Sequence, residues 1–225
     1  MNSTLIATEH VGEHEGLDDI KKHINSMIDD LIASLPSVAA LTGEQRRALI
    51  ARYSSVLEGN FIYWMTATYM AVKSEGARPI ILDNLHEEVR DAHPAMLRRF
   101  TIAAHAFPTE QDALAVQDEM TEVRVFLGKL SAVQSLATMA FFEGFIQRFM
   151  PFLAELAAAQ GSGDMEYTDV HGVCDIEHTD GLFRSLGLEM SINPLEDDQD
   201  LYEGVNLLRD LVKTIVFHGT ERPAA

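Results

Sequence analysis

Residues 171–178 read His171-Gly172-Val173-Cys174-Asp175-Ile176-Glu177-His178. On an α-helix, turning about 100° per residue, Asp175 lies about 40° round from His171 and His178 about 20° round on the other side. Two imidazoles and a carboxylate then project from one stripe about 60° wide, while Cys174 and Glu177 point elsewhere. Borderline first-row metal ions favour that mixture of nitrogen and oxygen donors. A solvated polar face holding two histidines fits the same spacing. What separates the two readings is whether the rest of the chain supplies further ligands.

Two other segments supply candidates. Glu143 has Leu136, Met139, Ala140, Ile146, Gln147 and Met150 as same-face neighbours on a helix read over Ser131–Ala159. An ionised carboxylate on so apolar a face is unfavourable unless it is paired or bound to a metal, and Arg148 or an arginine from another helix is the ordinary pairing. The run Asn84-Leu85-His86-Glu87-Glu88, followed by His93-Pro94, carries an imidazole and carboxylates close together. Charge runs such as Glu87, Glu88, Arg90 and Asp91 usually form a solvated face. Glu58, sharing a helix face with Ser54, Ser55, Ile62 and Met65, is an additional ligand or a partner to one, unless it pairs with a base at the surface.

These residues need helices to hold them, and helical periodicity covers nearly the whole chain. Ile20, Ile24, Met27, Ile28, Leu31 and Ile32 keep helical spacing up to Pro36. Thr42-x-x-Gln45 forms a capping box that opens a long helix to about Ser74, closed by Gly76 and Pro79. Further helices are expected over about 79–92, from Pro94 to before Pro108, from Thr109 to about Leu127, and over Ser131–Ala159 with a bend near Pro151. After the Gly161-Ser162-Gly163 loop, Asp164 caps a helix that carries the octet to about Leu186, and a last helix spans about 197–218. The expectation is an all-α protein, a single compact bundle of seven to eight helices over 17–220, preceded by a flexible acidic tail at 1–16.

Composition narrows the partners. The 225 residues are 47% hydrophobic and 23% charged, values of a globular domain able to bury a real core. A net charge of −18 argues against nucleic acid or anionic lipid, both of which need clustered Lys and Arg. No charge-free apolar run suggests a membrane span and no signal-peptide pattern opens the chain, so a cytoplasmic location is expected. A single cysteine precludes an intramolecular disulfide framework. The ligand class left is a small molecule.

In order, Asn-Leu-x-Glu-Glu…His-Pro, an isolated Glu143 in an aromatic helix ahead of Pro151, and His-x3-Asp-x2-His together resemble the heme-oxygenase-like diiron oxidases. The resemblance spans residues 84–178. It implies Glu88, His93, Glu143, His171, Asp175 and His178 as ligands of two Fe(II) ions, with dioxygen as co-substrate and no heme. Three carboxylates against two dications leave a buried site near neutrality. That family spaces its first Glu and His seven residues apart, on one helical face. Glu88 and His93 are five apart, a rotation of about 140°. Either the helix breaks near Asp91-Ala92, encouraged by Pro94, or a ligand differs. His86, seven before His93, is then the substitute, with Glu87 and Glu58 as further candidates.

The resemblance also implies the chemistry: a diferrous centre reacts with dioxygen and the product oxidises a small amino-acid-derived or fatty-acid-like substrate. Outcomes in the family include N-oxygenation, desaturation, C–C cleavage and nitrile formation, in biosynthesis of specialised metabolites. Phe142 and Phe145 are candidates for an apolar substrate wall, and Arg184 for holding a substrate carboxylate. An electron donor and a homodimeric assembly are both compatible with this reading. Competing readings are a mononuclear iron oxygenase built on His171, Asp175 and His178, a heme enzyme with His23 as axial ligand, a Cys174 nucleophile, and a non-enzymatic helical binding protein. Paired Glu-x-x-His motifs of a ferritin-like protein are absent from the sequence.

Overall fold

A computed structural model of the chain describes residues 16–219, the side chain of Cys174 excepted. The acidic stretch 1–15 and the last residues lie outside them. Helix α1 (Leu17–Ala33) buries Ile20, Ile24, Ile28 and Leu31, the stripe that the i, i+4 spacing predicts. Helix α2 (Gly43–Ala71) opens on the expected capping box: Gln45 N donates to Thr42 Oγ1 at 3.2 Å and Thr42 N donates to Gln45 Oε1 at 2.8 Å. It is interrupted at Glu58–Gly59, where Gly59 takes φ 86°, a conformation that glycine adopts without the Cβ penalty.

Helices α3 (Arg78–Arg90) and α4 (His93–Ala103) follow, then α5 (Glu110–Leu114), α6 (Gln117–Leu127), α7 (Ala132–Ala159), α8 (Glu166–Met190) and α9 (Glu203–Phe217). Nine α-helices and one 3-10 turn thus make up the described residues, with no strand among them. The count exceeds the expected seven or eight because the segment from Thr109 to Leu127 is two helices. Thr109 and Asp112 close a capping box around the five-residue α5, and Val116, buried with φ −119°, turns the chain into α6. Helix α7 runs through Pro151, and the last helix begins at Glu203 rather than near 197. No described helix is long and apolar enough to cross a membrane.

At the centre stands α7, in which every residue from Ala132 to Ile146 is buried. A helix covered on all sides belongs in the core, and α1, α2, α8 and α9 pack around it. Helix α8 lies along α7, and small residues set the closeness of the fit. A Cβ on Gly144 would stand 3.0 Å from Ile28 and 3.5 Å from Thr179, and one on Gly181 would stand 2.9 Å from Ile80 of α3. Both contacts flank residues 175–178, so α7, α8 and α3 converge there.

One buried carboxylate outside that region is purely architectural. Glu189, fully buried near the end of α8, accepts from Ser74 N at 2.8 Å and from Lys73 N at 3.1 Å. It thereby ties the α2–α3 connection to α8. Replacing it leaves two backbone donors unsatisfied in the interior. Glu189→Ala is expected to cost about 3 kcal/mol, read as a fall of roughly 10 °C in the thermal midpoint; a midpoint within about 2 °C of the parent would contradict the assignment.

Candidate metal centre

The five-residue spacing of Glu88 and His93 resolves at the α3–α4 junction. Helix α3 ends at Arg90, and Ala92 adopts φ 57° and ψ 40°. That left-handed residue redirects the chain, so Glu88 Oε1 and His93 Nδ1 come to 2.7 Å instead of facing apart. The break falls at Asp91-Ala92, but Pro94 acts differently than expected. It occupies the second position of α4, where no intrahelical donor is needed, and His93 is itself helical. With both Glu88 and His93 buried at one point, His86 is not a substitute: it sits exposed on the outer side of α3.

The octet, by contrast, does not act as one group. His171 joins Glu88 and His93, whereas Asp175 and His178 join Glu143, giving two clusters whose ligating atoms lie within 4.8 Å of one another in each. The reason is axial rise. His171 and His178 share a face but stand about 10.5 Å apart along the helix, and their ring nitrogens fall in different clusters. The facial triad of the mononuclear reading is therefore not assembled by α8. Glu143 and Asp175 are each only 1% exposed, and the partners expected of Glu143 are elsewhere: Arg148 pairs with Asp29 at the surface.

Each imidazole is oriented by a bond on the side away from its cluster, with one exception. His171 Nδ1 lies 2.8 Å from the Tyr167 carbonyl oxygen, which accepts its proton and leaves Nε2 as the donor atom. His178 Nε2 lies 2.9 Å from Glu87 Oε2, leaving Nδ1 toward the cluster. That Nδ1 is buried with no hydrogen-bond partner among the described residues, 3.7 Å from Asp175 Oδ1 and 3.8 Å from Glu143 Oε2. Those gaps exceed a hydrogen bond but match ligands on one ion, which lie about 3 Å apart at right angles and about 4.2 Å apart when opposite. Asn84 Nδ2 donates to Glu143 Oε1 at 2.8 Å and holds that carboxylate in place. His93 is the exception, since its contact with Glu88 lies inside the cluster, where an ion would displace the shared proton. Mixed imidazole and carboxylate donors, buried and pre-oriented, fit first-row ions such as iron.

Burial and charge pull these groups in opposite directions. Burial pushes His171 down to about 4, helped by the nearby imidazoles of His93 and His178, so it presents a neutral donor at pH 7. Burial also disfavours the His178 cation, but the charges of Glu143, Glu87 and Asp175 outweigh it and hold that imidazole up at about 10. Glu88 is raised by burial, against the opposing effect of His93. Beside His171, the Tyr167 ring lies 4.2 Å away between centroids, and its hydroxyl is 2.8 Å from that of Tyr53. Burial raises both phenols, which stay neutral.

Both clusters border one cavity of about 20 Å³, roughly the room of a single water. Its remaining walls are Leu57, Phe61, Ile62, Leu97 and Ile146, with Pro94 and Tyr167. Phe142 and Phe145 are not among them. Phe142 packs between Phe61 and Trp64 and Phe145 stacks on Phe149, so both are core. Arg184 is exposed and does not line the cavity. Glu58 sits at the α2 interruption and pairs with Arg98, away from either cluster. Glu87 belongs to the site as a hydrogen-bond partner of His178; Asn84, quoted in its motif without a role, and Tyr167, not singled out, belong there as well. Their signal was i, i+4 spacing: Asn84 to Glu88 and Tyr167 to His171.

The model of a protein family described as iron-containing redox enzymes matches residues 46–212, so most of the chain, including both clusters, falls within it. The chain belongs to that family, and its all-α bundle is heme-oxygenase-like. No individual curated protein matches it.

The junction at Ala92 is open to a direct check. Ala92→Gly relieves the left-handed strain and should keep metal uptake at the parental level, with stability within about 1 kcal/mol. Ala92→Val places a β-branched side chain in that conformation, and should cost about 2 kcal/mol and lower the metal taken up. Thermal melts and metal titration read both; a valine variant that matches the parent in both would contradict the role given to the break.

Proposed function

We propose that this member of the iron-containing redox enzymes holds two ferrous ions and uses dioxygen to oxidise a small substrate. The observation that carries the reading is the pair of buried clusters on one cavity, Glu88/His93/His171 and Glu143/Asp175/His178. Two ferrous ions there would supply the electrons that activate dioxygen. The side chains have distinct tasks. Tyr167 and Glu87 fix the two histidines of α8, and Asn84 fixes Glu143, so little reorganisation accompanies binding. Leu57, Phe61, Ile62, Leu97 and Ile146 keep water from the reacting atoms.

The two positions differ in charge. One cluster has a single carboxylate and two imidazoles, the other two carboxylates and one imidazole. A dication would be neutralised in the second and would leave a net positive charge in the first. No Lys or Arg lines the cavity, so an acidic substrate group would find its only positive partner at the first position. With apolar walls beside it, which must part beyond the room of one water to admit substrate, that favours a fatty-acid-like or amino-acid-derived substrate whose polar end faces the ions. N-oxygenation, desaturation, C–C cleavage and nitrile formation all fit such a placement, in the making of a specialised metabolite.

Anaerobic reconstitution with Fe(II) tests this. The parent protein should retain about two irons per chain, and His171→Ala and His178→Ala about one each, because they belong to separate clusters. Mixing the loaded parent with dioxygen should give a transient visible absorption. One iron in the parent, or two in both variants, would overturn the two-ion reading.

A further inference from the structure

Buried ions need a way in, and the inner cavity is a poor one: apolar side chains form most of its walls outside the ligands, and a hydrated dication is not readily stripped there. A second pocket, of about 200 Å³, shares no lining residue with that cavity yet reaches the same centre through His178 and Asn84. Asp83, Glu87 and Glu177 line it together with Asn84 and His178, and neither Lys nor Arg does. Asp83 and Glu177 are exposed, the Glu87 side chain is 41% exposed, and that of His178 only 8%, which grades the pocket from solvent to ligand.

An acidic rim alone would be unremarkable on so anionic a protein. Asn84 makes this one different. It is 5% exposed and stands in the pocket wall, and while its Nδ2 is committed to Glu143, its Oδ1 is buried without a hydrogen-bond partner among the described residues. An orphaned buried carbonyl oxygen lacks a positive or donor group, and a hard cation passing Glu87 would supply one. Glu87 is in turn bonded to His178, a member of the inner cluster.

We infer that this pocket is the port through which divalent iron reaches the centre. Asp83 and Glu177 gather the hydrated cation, Glu87 and the Asn84 carbonyl take it from water, and it passes the edge of the His178 ring to the Nδ1 side, where the Glu143/Asp175/His178 cluster holds it. The inference rests on the two-iron reading and concerns how that centre is filled. No ligand set tight enough to keep an ion lies on the rim: the clusters able to do so, among the described residues, are the two inner ones. The rim is a route.

Loading kinetics decide it. Apoprotein and the double variant Asp83→Asn/Glu177→Gln are mixed anaerobically with Fe(II), and bound iron is followed by quenching with a chelator. Both substituted side chains are exposed and outside the clusters, so an unchanged melting temperature verifies the fold. At low ionic strength the variant should load roughly ten-fold more slowly and end with as much iron as the parent. The gap should close near 1 M salt, where screening extends only about 3 Å. Equal rates at low salt, a gap insensitive to salt, or a lower final iron content would each overturn the port. A parental end point of one iron would instead count against the two-ion reading, while the rate comparison would still judge the port.

Discussion

Three carboxylates and three imidazoles are buried between α3, α4, α7 and α8, and no lysine or arginine is buried with them in either cluster. Water is lost from each charged group, and the low-dielectric surroundings make every uncompensated charge unfavourable by several kcal/mol. Partial compensation comes from the chain itself: His93 for Glu88, Asn84 for Glu143, Glu87 for His178. A dication bound in each cluster would supply the rest. Metal binding and folding would then be linked, since ions that bind only the assembled clusters stabilise the assembly. The close contacts at Gly144 and Gly181 serve this arrangement by letting α7, α8 and α3 approach near the ligands.

Along α8, the helix geometry does two things at once. Its rotation keeps His171, Asp175 and His178 on one face, and its rise distributes them to two positions. Since α7 contributes Glu143 and the α3–α4 junction contributes Glu88 and His93, each position draws on two parts of the chain. Helix α3 also supplies Asn84 and Glu87, so a shift of this one helix would disturb both clusters. That concentration of roles explains why the α2–α3 connection is anchored to α8 by the buried Glu189.

Much of this was legible in the residues. Apolar periodicity, with one capping box and the Pro and Gly breaks, located most helices, because such signals are local. The six residues that the family resemblance implies as ligands are the ones that lie together in two clusters. What escaped was what a sequence encodes weakly. Alanine gives no hint that Ala92 adopts a left-handed conformation, and a glycine within a helical pattern does not by itself mark the interruption at Gly59. Glu189 near a helix end looks like a surface residue until the neighbouring backbone is seen. Spacing alone left a single triad in the octet open beside the two-ion reading, and the two clusters divide the octet between them. Phe142, Phe145 and Arg184 do not line the cavity, because proximity in sequence to Glu143 and His178 says little about which side chains face it.

The central claim is that the ligands of α8 serve two ions and not one. X-ray diffraction from crystals of the iron-loaded protein, collected on either side of the iron absorption edge, tests it most directly. Two anomalous peaks are predicted, one among Glu88, His93 and His171 and the other among Glu143, Asp175 and His178. A single peak bound jointly by His171, Asp175 and His178 would contradict it.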